Sequence, residues 1–163
     1  MARDTRSMER VKFTVGDLTP VVACMATLAS AEDGWINLIP RIDEQEEKPT
    51  SLGFFTLFSG GASGLTMCTW LPGGRNRRGP TLPSLGISHV TSRRAVARLS
   101  SFGMGIPPTW RVEQDHPRRG LVMRVPFDEP HEQLLAWAIR AVGFLTPGSI
   151  RGWHAEVYLP EPR

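Results

Sequence analysis

The sequence predicts an α+β fold: a ferredoxin-like split βαβ unit, with an antiparallel sheet and two helices on one face. An N-terminal helix and a β-hairpin precede it and are expected to extend or cover the sheet. Three observations predict this. Residues 84–160 alternate short apolar runs with helical stretches in the order β-α-β-β-α-β, which is the order of that unit. Pro and Gly punctuate the segments, 14 and 16 of them in 163 residues, and no fixed period marks a repeat architecture. The longest helical stretch places Leu134, Leu135, Ala138, Val142 and Leu145 at the spacing of one buried face. A chain of this length, 40% apolar and 21% charged, fits a single domain (1–163) with a full core.

The elements follow in order. Residues 1–12 are polar and charged and read as a flexible arm. Residues 13–83 hold the helix and hairpin extension. Leu18–Ala31 imitates a secretory signal, with basic residues before it and Ala29-Ser30-Ala31 at its end, but Asp4, Glu9 and Asp17 dilute the leader. It therefore reads as a helix, with Asp17 as its cap, Pro20 in its first turn and Gly34 past its end. A cytoplasmic protein follows from that reading. No run approaches the ~18 apolar residues of a membrane span. Trp35–Ile39 reads as a strand ended by Pro40, and Asp43–Pro49 as a solvated acidic loop. Gly53–Phe58 and Leu65–Leu71 read as a hairpin around the tip Ser59–Gly64. Pro72–Pro83 is a loop by composition.

In the 84–160 core, Leu85–Val90 is the first strand. Thr91 or Ser92 caps a helix ending near Phe102-Gly103. Trp110–Gln114 and Leu121–Val125 are strands around the turn Asp115–Gly120, Pro130 opens the long helix, and Trp153–Leu159 is the last strand. Alternation assigns Leu85, Ile87, Trp110, Val112, Leu121, Met123, Val125, Trp153, Ala155 and Val157 to the helix-facing side. Ser88, Arg111, Glu113, Val122, Arg124, His154, Glu156 and Tyr158 then face away, on a surface whose simplest reading is a solvated sheet face with cross-strand ion pairs.

Charge is uneven along the chain. Residues 75–124 hold ten Arg against Glu113 and Asp115, a local +8, whereas the remainder sums to −5 and the whole to +3. Clustered basic residues raise the potential where they converge and point to an anionic partner. The candidate anion-binding residues are Arg75, Arg77 and Arg78 on a glycine-rich loop, Arg111 and Arg124 on strands, and Arg118 and Arg119 on a hairpin tip. Guanidinium forks beside freed backbone N–H groups suit phosphate or carboxylate, although no Gly-Lys-Ser/Thr marks a P-loop.

Other chemistry is sparse. Cys24 and Cys68 lie in apolar runs and read as reduced, buried thiols. No Cys/His spacing suits zinc, so neither a metal nor a cofactor is expected. The weak catalytic candidates are His154 and Glu156, at i and i+2 on one strand and therefore on one face, with Tyr158 beyond them and Ser88 on the strand expected alongside. A helix with Arg93, Arg94 and Arg98 before a basic hairpin has the order of a winged helix-turn-helix, but strands rather than helices are expected before Arg93. The strand Arg119–Val125 lacks the aromatics with which a ferredoxin-like sheet stacks single-stranded RNA.

Three functions remain. The first is a non-catalytic binding or assembly module, with a basic surface for an anionic small molecule or a partner protein, as a homo-oligomer. The second is an enzyme on a phosphate- or carboxylate-bearing substrate, with Arg111 and Arg124 orienting the anion. The third is nucleic-acid binding through the arginines.

Overall fold

The computed structural model describes residues 6–42 and 66–162. Among these the elements are β1 (Met8–Phe13), α1 (Thr19–Ala31), β2 (Trp35–Ile42), β3 (Met67–Leu71), β4 (Gly74–Asn76), β5 (Gly79–Thr81) and β6 (Ser84–Ser88). Then come α2 (Ala95–Ser101), β7 (Arg111–His116), β8 (Gly120–Arg124), α3 (His131–Leu145) and β9 (Ile150–Tyr158). Seven strands form one sheet in the order β1-β9-β2-β3-β6-β8-β7, and each adjacent pair is antiparallel.

The α+β class holds, and the sheet departs from the ferredoxin-like arrangement. Strands β6, β8 and β7 keep the expected order, but the last strand should lie beside β6. Instead β9 lies between β1 and β2, and β2 and β3 separate it from β6. Of the described N-terminal elements, β2 and β3 enter the middle of the sheet, β1 forms its edge, and α1 joins the helical layer. Residues 8–12, expected in a flexible arm, form most of edge strand β1, which pairs with β9 from Met8 to Phe13. Glu9, Arg10 and Lys12 are exposed along it, because an edge strand leaves one side of its backbone and much of its surface in solvent.

Smaller corrections have local causes. Strand β2 runs through Pro40 to Ile42, pairing with β9 as far as Ile42, while its ladder with β3 covers Ile36–Leu38. Pro40 lies beyond that ladder, so its missing N–H removes no rung there. Residues 72–83 are not a plain loop, since β4 and β5 pair within them. The acidic loop 43–49, the first hairpin strand 53–58 and the tip 59–64 lie outside the described residues. Strand β3 is paired on both sides, by β2 and β6.

The core is a single cluster under one helical layer. Helix α3 touches both other helices and strands β2 and β3, α1 touches β1, and α2 touches β7 and β8. One row crosses the whole sheet on this side: Val11, Ala155, Leu38, Cys68, Ile87, Leu121 and Asp115. Its members from Ala155 to Leu121 are fully or almost fully buried with Met25, Leu99, Leu134 and Val142 from the helices. Of the helix-facing residues expected from alternation, Val112 departs: it is 39% exposed on the outer strand, next to a bulge that shifts the β7–β8 register between Val112 and Gln114.

Candidate functional site

The next row crosses the opposite face: Arg10, Glu156, Asn37, Thr69, Gly86, Val122 and Gln114. A solvated face was expected here. Its centre is buried instead, with Asn37 and Thr69 at 0%, Glu156 at 1% and Val122 at 4% exposure. Burial forces polar side chains to find partners. The Thr69 hydroxyl donates to Asn37 Oδ1 at 2.8 Å, and the Tyr158 hydroxyl donates to Glu156 Oε2 at 3.2 Å. Arg10 lies 3.9 Å from the Glu156 carboxylate and His154 Nε2 lies 4.0 Å from it. Strands β1, β9 and β2 therefore do bring the two catalytic candidates together.

They do not assemble the enzyme constellation. Ser88 lies on β6, three strand steps from His154, because β2 and β3 intervene. Arg111 and Arg124 lie farther still. From β9 to β8 is four steps, or roughly 19 Å at about 4.8 Å per step. Both guanidiniums are also engaged: Arg124 Nε and Arg111 each donate to Glu113 at 2.9 Å, and Arg124 also donates to the Leu82 carbonyl at 3.3 Å. Burial raises the Glu113 carboxyl, but the bonds and charges of Arg124 and Arg111 outweigh it and hold the group below the usual carboxylate range.

The ten arginines of the basic block do not form one patch. Register places them at two ends of the sheet. At one end, Ser84, Arg124 and Arg111 share a row, and the β4–β5 hairpin with Arg75, Arg77 and Arg78 joins β3 to β6 there. At the other end, Gly120 pairs with His116, and the β7–β8 turn with Arg118 and Arg119 lies beside the β6–α2 connection with Arg93 and Arg94. Four residues of β8 separate the ends, roughly 14 Å at about 3.4 Å per residue. That exceeds the Debye length of about 8 Å at physiological salt, so the two groups act as separate fields.

Their surroundings differ. The first end also carries Glu113, Asp128 and Glu129, and Glu32 lies against Gly74. The second end holds Arg93, Arg94, Arg98, Arg118 and Arg119 with a single described acid, Asp115. The Asp115 carboxylate accepts the Ala95 N–H at 2.8 Å. Here β7 caps α2, where Thr91 or Ser92 was expected to; Arg94 is the cap residue and makes no side-chain cap bond. This bond ties the two arginine-bearing loops together. Gly120 draws them closer still: it has φ +86°, and a Cβ there would collide with the Ile87 carbonyl, so only glycine lets the turn approach β6 this closely. Among the described residues none of these five arginines has an acidic partner within 4.0 Å.

His89 completes this end. It is 7% exposed, its Nδ1 lies 2.8 Å from the Thr91 hydroxyl, and its Nε2 is buried without a hydrogen-bond partner. Burial pushes its imidazole below the usual range, Asp115 opposes that shift, and Arg98 adds to it. Sequence reasoning named Arg118 and Arg119 here as anion ligands but missed His89. A lone His at the end of an apolar strand carries no signal until Asp115 and Arg98 are brought to it.

A shallow cleft of about 200 Å³ lies at the opposite end, between Arg6, Asp33, Trp35 and Leu71. Its groups are occupied. The Trp35 ring stacks on the Tyr158 ring at 4.5 Å, the Arg6 guanidinium lies over Trp35 at 5.2 Å, and Arg6 holds Asp33 at 2.6 Å. No described group of three or more His, Cys, Asp or Glu side chains could hold a metal. No described helix is long and apolar enough to cross a membrane. No family model matches the chain, and no curated protein or solved structure is similar to it.

Proposed function

We propose that the protein is a non-catalytic binding module that receives an anionic small molecule at the end of the sheet formed by the β6–α2 connection and the β7–β8 turn. The supporting observation is the local charge: five arginines against Asp115, a formal +4, four of them on two loops joined by the Ala95–Asp115 bond and Arg98 on α2. Exposed guanidiniums without carboxylate partners concentrate an anion and offer paired donors to it. Arg75, Arg77, Arg78, Arg111 and Arg124 form the weaker field, reduced by the four acids around them.

The enzyme reading has less support, because its acid–base pair and its anion-orienting arginines lie roughly 19 Å apart by strand spacing. Self-assembly through the sheet edges has little as well. Antiparallel pairing of two β1 edges sets residues of one face opposite each other. The best-overlapped registers then oppose Arg10 to Arg10 or to Lys12, which repels. The other edge, β7, is interrupted by its bulge.

The test is amide NMR mapping during titration with sulfate, inorganic phosphate and citrate at fixed ionic strength. Saturable shifts concentrated in residues 89–98 and 115–120 are expected, and they should vanish in the Arg118→Glu/Arg119→Glu variant. Shifts absent there, or spread evenly over every arginine, would sink the proposal. A DNA oligonucleotide titrated at several salt concentrations separates the nucleic-acid reading, which requires log K to fall by about 0.9 per neutralised phosphate against log salt.

A further inference from the structure

Resting on that reading, we infer that the basic end contains an inner oxyanion site in which Arg98 Nε and His89 Nε2 grip a phosphoryl group, with Arg93, Arg94, Arg118 and Arg119 as an outer rim. Two observations meet here. Arg98 Nε is buried and has no hydrogen-bond partner, and neither has His89 Nε2. A buried donor without an acceptor is costly, and native proteins rarely leave one so. Two such atoms lie on neighbouring elements at the end that carries Arg93, Arg94, Arg118 and Arg119, and one shared acceptor would satisfy both. Asp115 does not supply it: the structure bonds its carboxylate to the Ala95 N–H, and it reaches neither orphan within hydrogen-bond distance.

Geometry places both groups on the helix side of the sheet. Ile87, Leu121 and Asp115 share a row there. His89 follows Ile87 by two residues, so alternation keeps it on that side. Arg98 lies one turn beyond Arg94 on α2, with its guanidinium over the Phe102 ring at 5.5 Å. That contact restricts the swing of the guanidinium, which favours a directed donor over a mobile charge.

The protons can be followed. The Thr91 hydroxyl lies 2.8 Å from His89 Nδ1 and 3.4 Å from the Arg93 carbonyl. With the imidazole doubly protonated, Nδ1–H donates to Thr91, Thr91 donates to Arg93, and Nε2–H is left to face the anion. The charged groups that act on this imidazole are Asp115 from β7 and Arg98 from α2. A bound dianion screens Arg98 and adds its own attraction, so binding takes up a proton at His89. A phosphoryl group suits the site better than a carboxylate, because three oxygens and two charges can serve the inner donors and the rim together.

The experiment uses the full chain and inorganic phosphate. Imidazole ¹⁵N spectra should show His89 Nε2 moving saturably with phosphate at pH 8, where the anion is mostly dianionic; affinity for sulfate, dianionic throughout, should rise as pH falls from 8 to 6, and acetate should compete poorly. Arg98→Lys keeps the charge but loses the planar fork, and is expected to weaken binding about tenfold or more. A phosphate monoester in place of free phosphate tests whether the natural ligand carries more than the anion; either result requires the same inner contacts. A His89 signal unmoved by saturating phosphate, or Arg98→Lys binding as wild type, overturns the inner site. If Arg118→Glu/Arg119→Glu still abolishes binding in that case, the module reading survives without it. No anion binding in any variant removes both.

Discussion

Replacing Gly120 by alanine tests how tightly the two basic loops are held together. Gly120 opens β8 with φ +86°, and a Cβ built there falls about 1 Å inside the 3.4 Å at which ordinary contact with the Ile87 carbonyl oxygen begins. Two costs follow. The left-handed backbone costs a non-glycine residue roughly 1–2 kcal/mol. The clash is with a carbonyl in a sheet ladder, not with the end of a side chain, so β8 must retreat from β6 around the Ile87–Leu121 pair. Loosening one or two ladder bonds costs about 1 kcal/mol each. The total is about 2–4 kcal/mol. Gly103→Ala is the matched control: it has φ +75° with nothing within 4 Å of a built Cβ, and so carries the backbone cost of roughly 1–2 kcal/mol alone. Urea unfolding of both variants, with equal m-values, should show Gly120→Ala the less stable by about 1–2 kcal/mol. Equal losses would refute the close approach of turn and strand.

Other consequences are as concrete. Glu156→Ala removes the buried carboxylate facing Arg10, His154 and Tyr158 and should cost about 2–4 kcal/mol in urea unfolding; a loss below about 1 kcal/mol would contradict the buried cluster. Glu113 has a carboxyl held below its unfolded value, so its contribution is present above the unfolded pKa and disappears as pH falls through the folded one. Its side chain is 33% exposed, which limits the effect to about 0.5 kcal/mol after screening. The stability gap between wild type and Glu113→Gln should therefore be small at pH 7 and close toward pH 3, and a gap that widens in acid would reverse the sign. Burial pushes the Cys68 thiol far above the usual range, so iodoacetamide at pH 8 should modify it only in denaturant, as peptide mass spectrometry reads directly. Burial first, and Glu9 second, raise the half-exposed Cys24 as well, so its labelling should be slow but measurable in the native protein.

Periodicity made much of the second half legible. The stripe from Leu134 to Leu145 is the buried face of α3, and the alternation in Trp153–Val157 is the inward face of β9. What periodicity does not contain is which strands are neighbours. The 84–160 segments were readable one by one, yet the order that would set β9 beside β6 is decided by the ladders available to β2 and β3. Those depend on residues far away in the chain. Edge strand β1 was hidden for a related reason: Glu9, Arg10 and Lys12 break any clean alternation, and the segment looks like a charged arm until β9 pairs with it. Glu156 was read as a solvated carboxylate because its neighbours Asn37 and Thr69 arrive from the other half of the chain. At the basic end, residue types alone made Arg118 and Arg119 candidates. The difference between arginines paired with Glu113 and arginines left without a carboxylate came only from register.

The position of β9 has a consequence for how the molecule comes into being. Its residues 150–158 fill the slot between β1 and β2, so those two early strands have no common partner until the segment leaves the ribosome. A nascent chain that ends before Ile150 leaves β1 and β2 without the strand that joins them. Pairings this remote in sequence close slowly and are exposed to aggregation meanwhile. Completion of the sheet thereby waits on residues 150–158, which join β1 to β2 whatever pairings have formed before them.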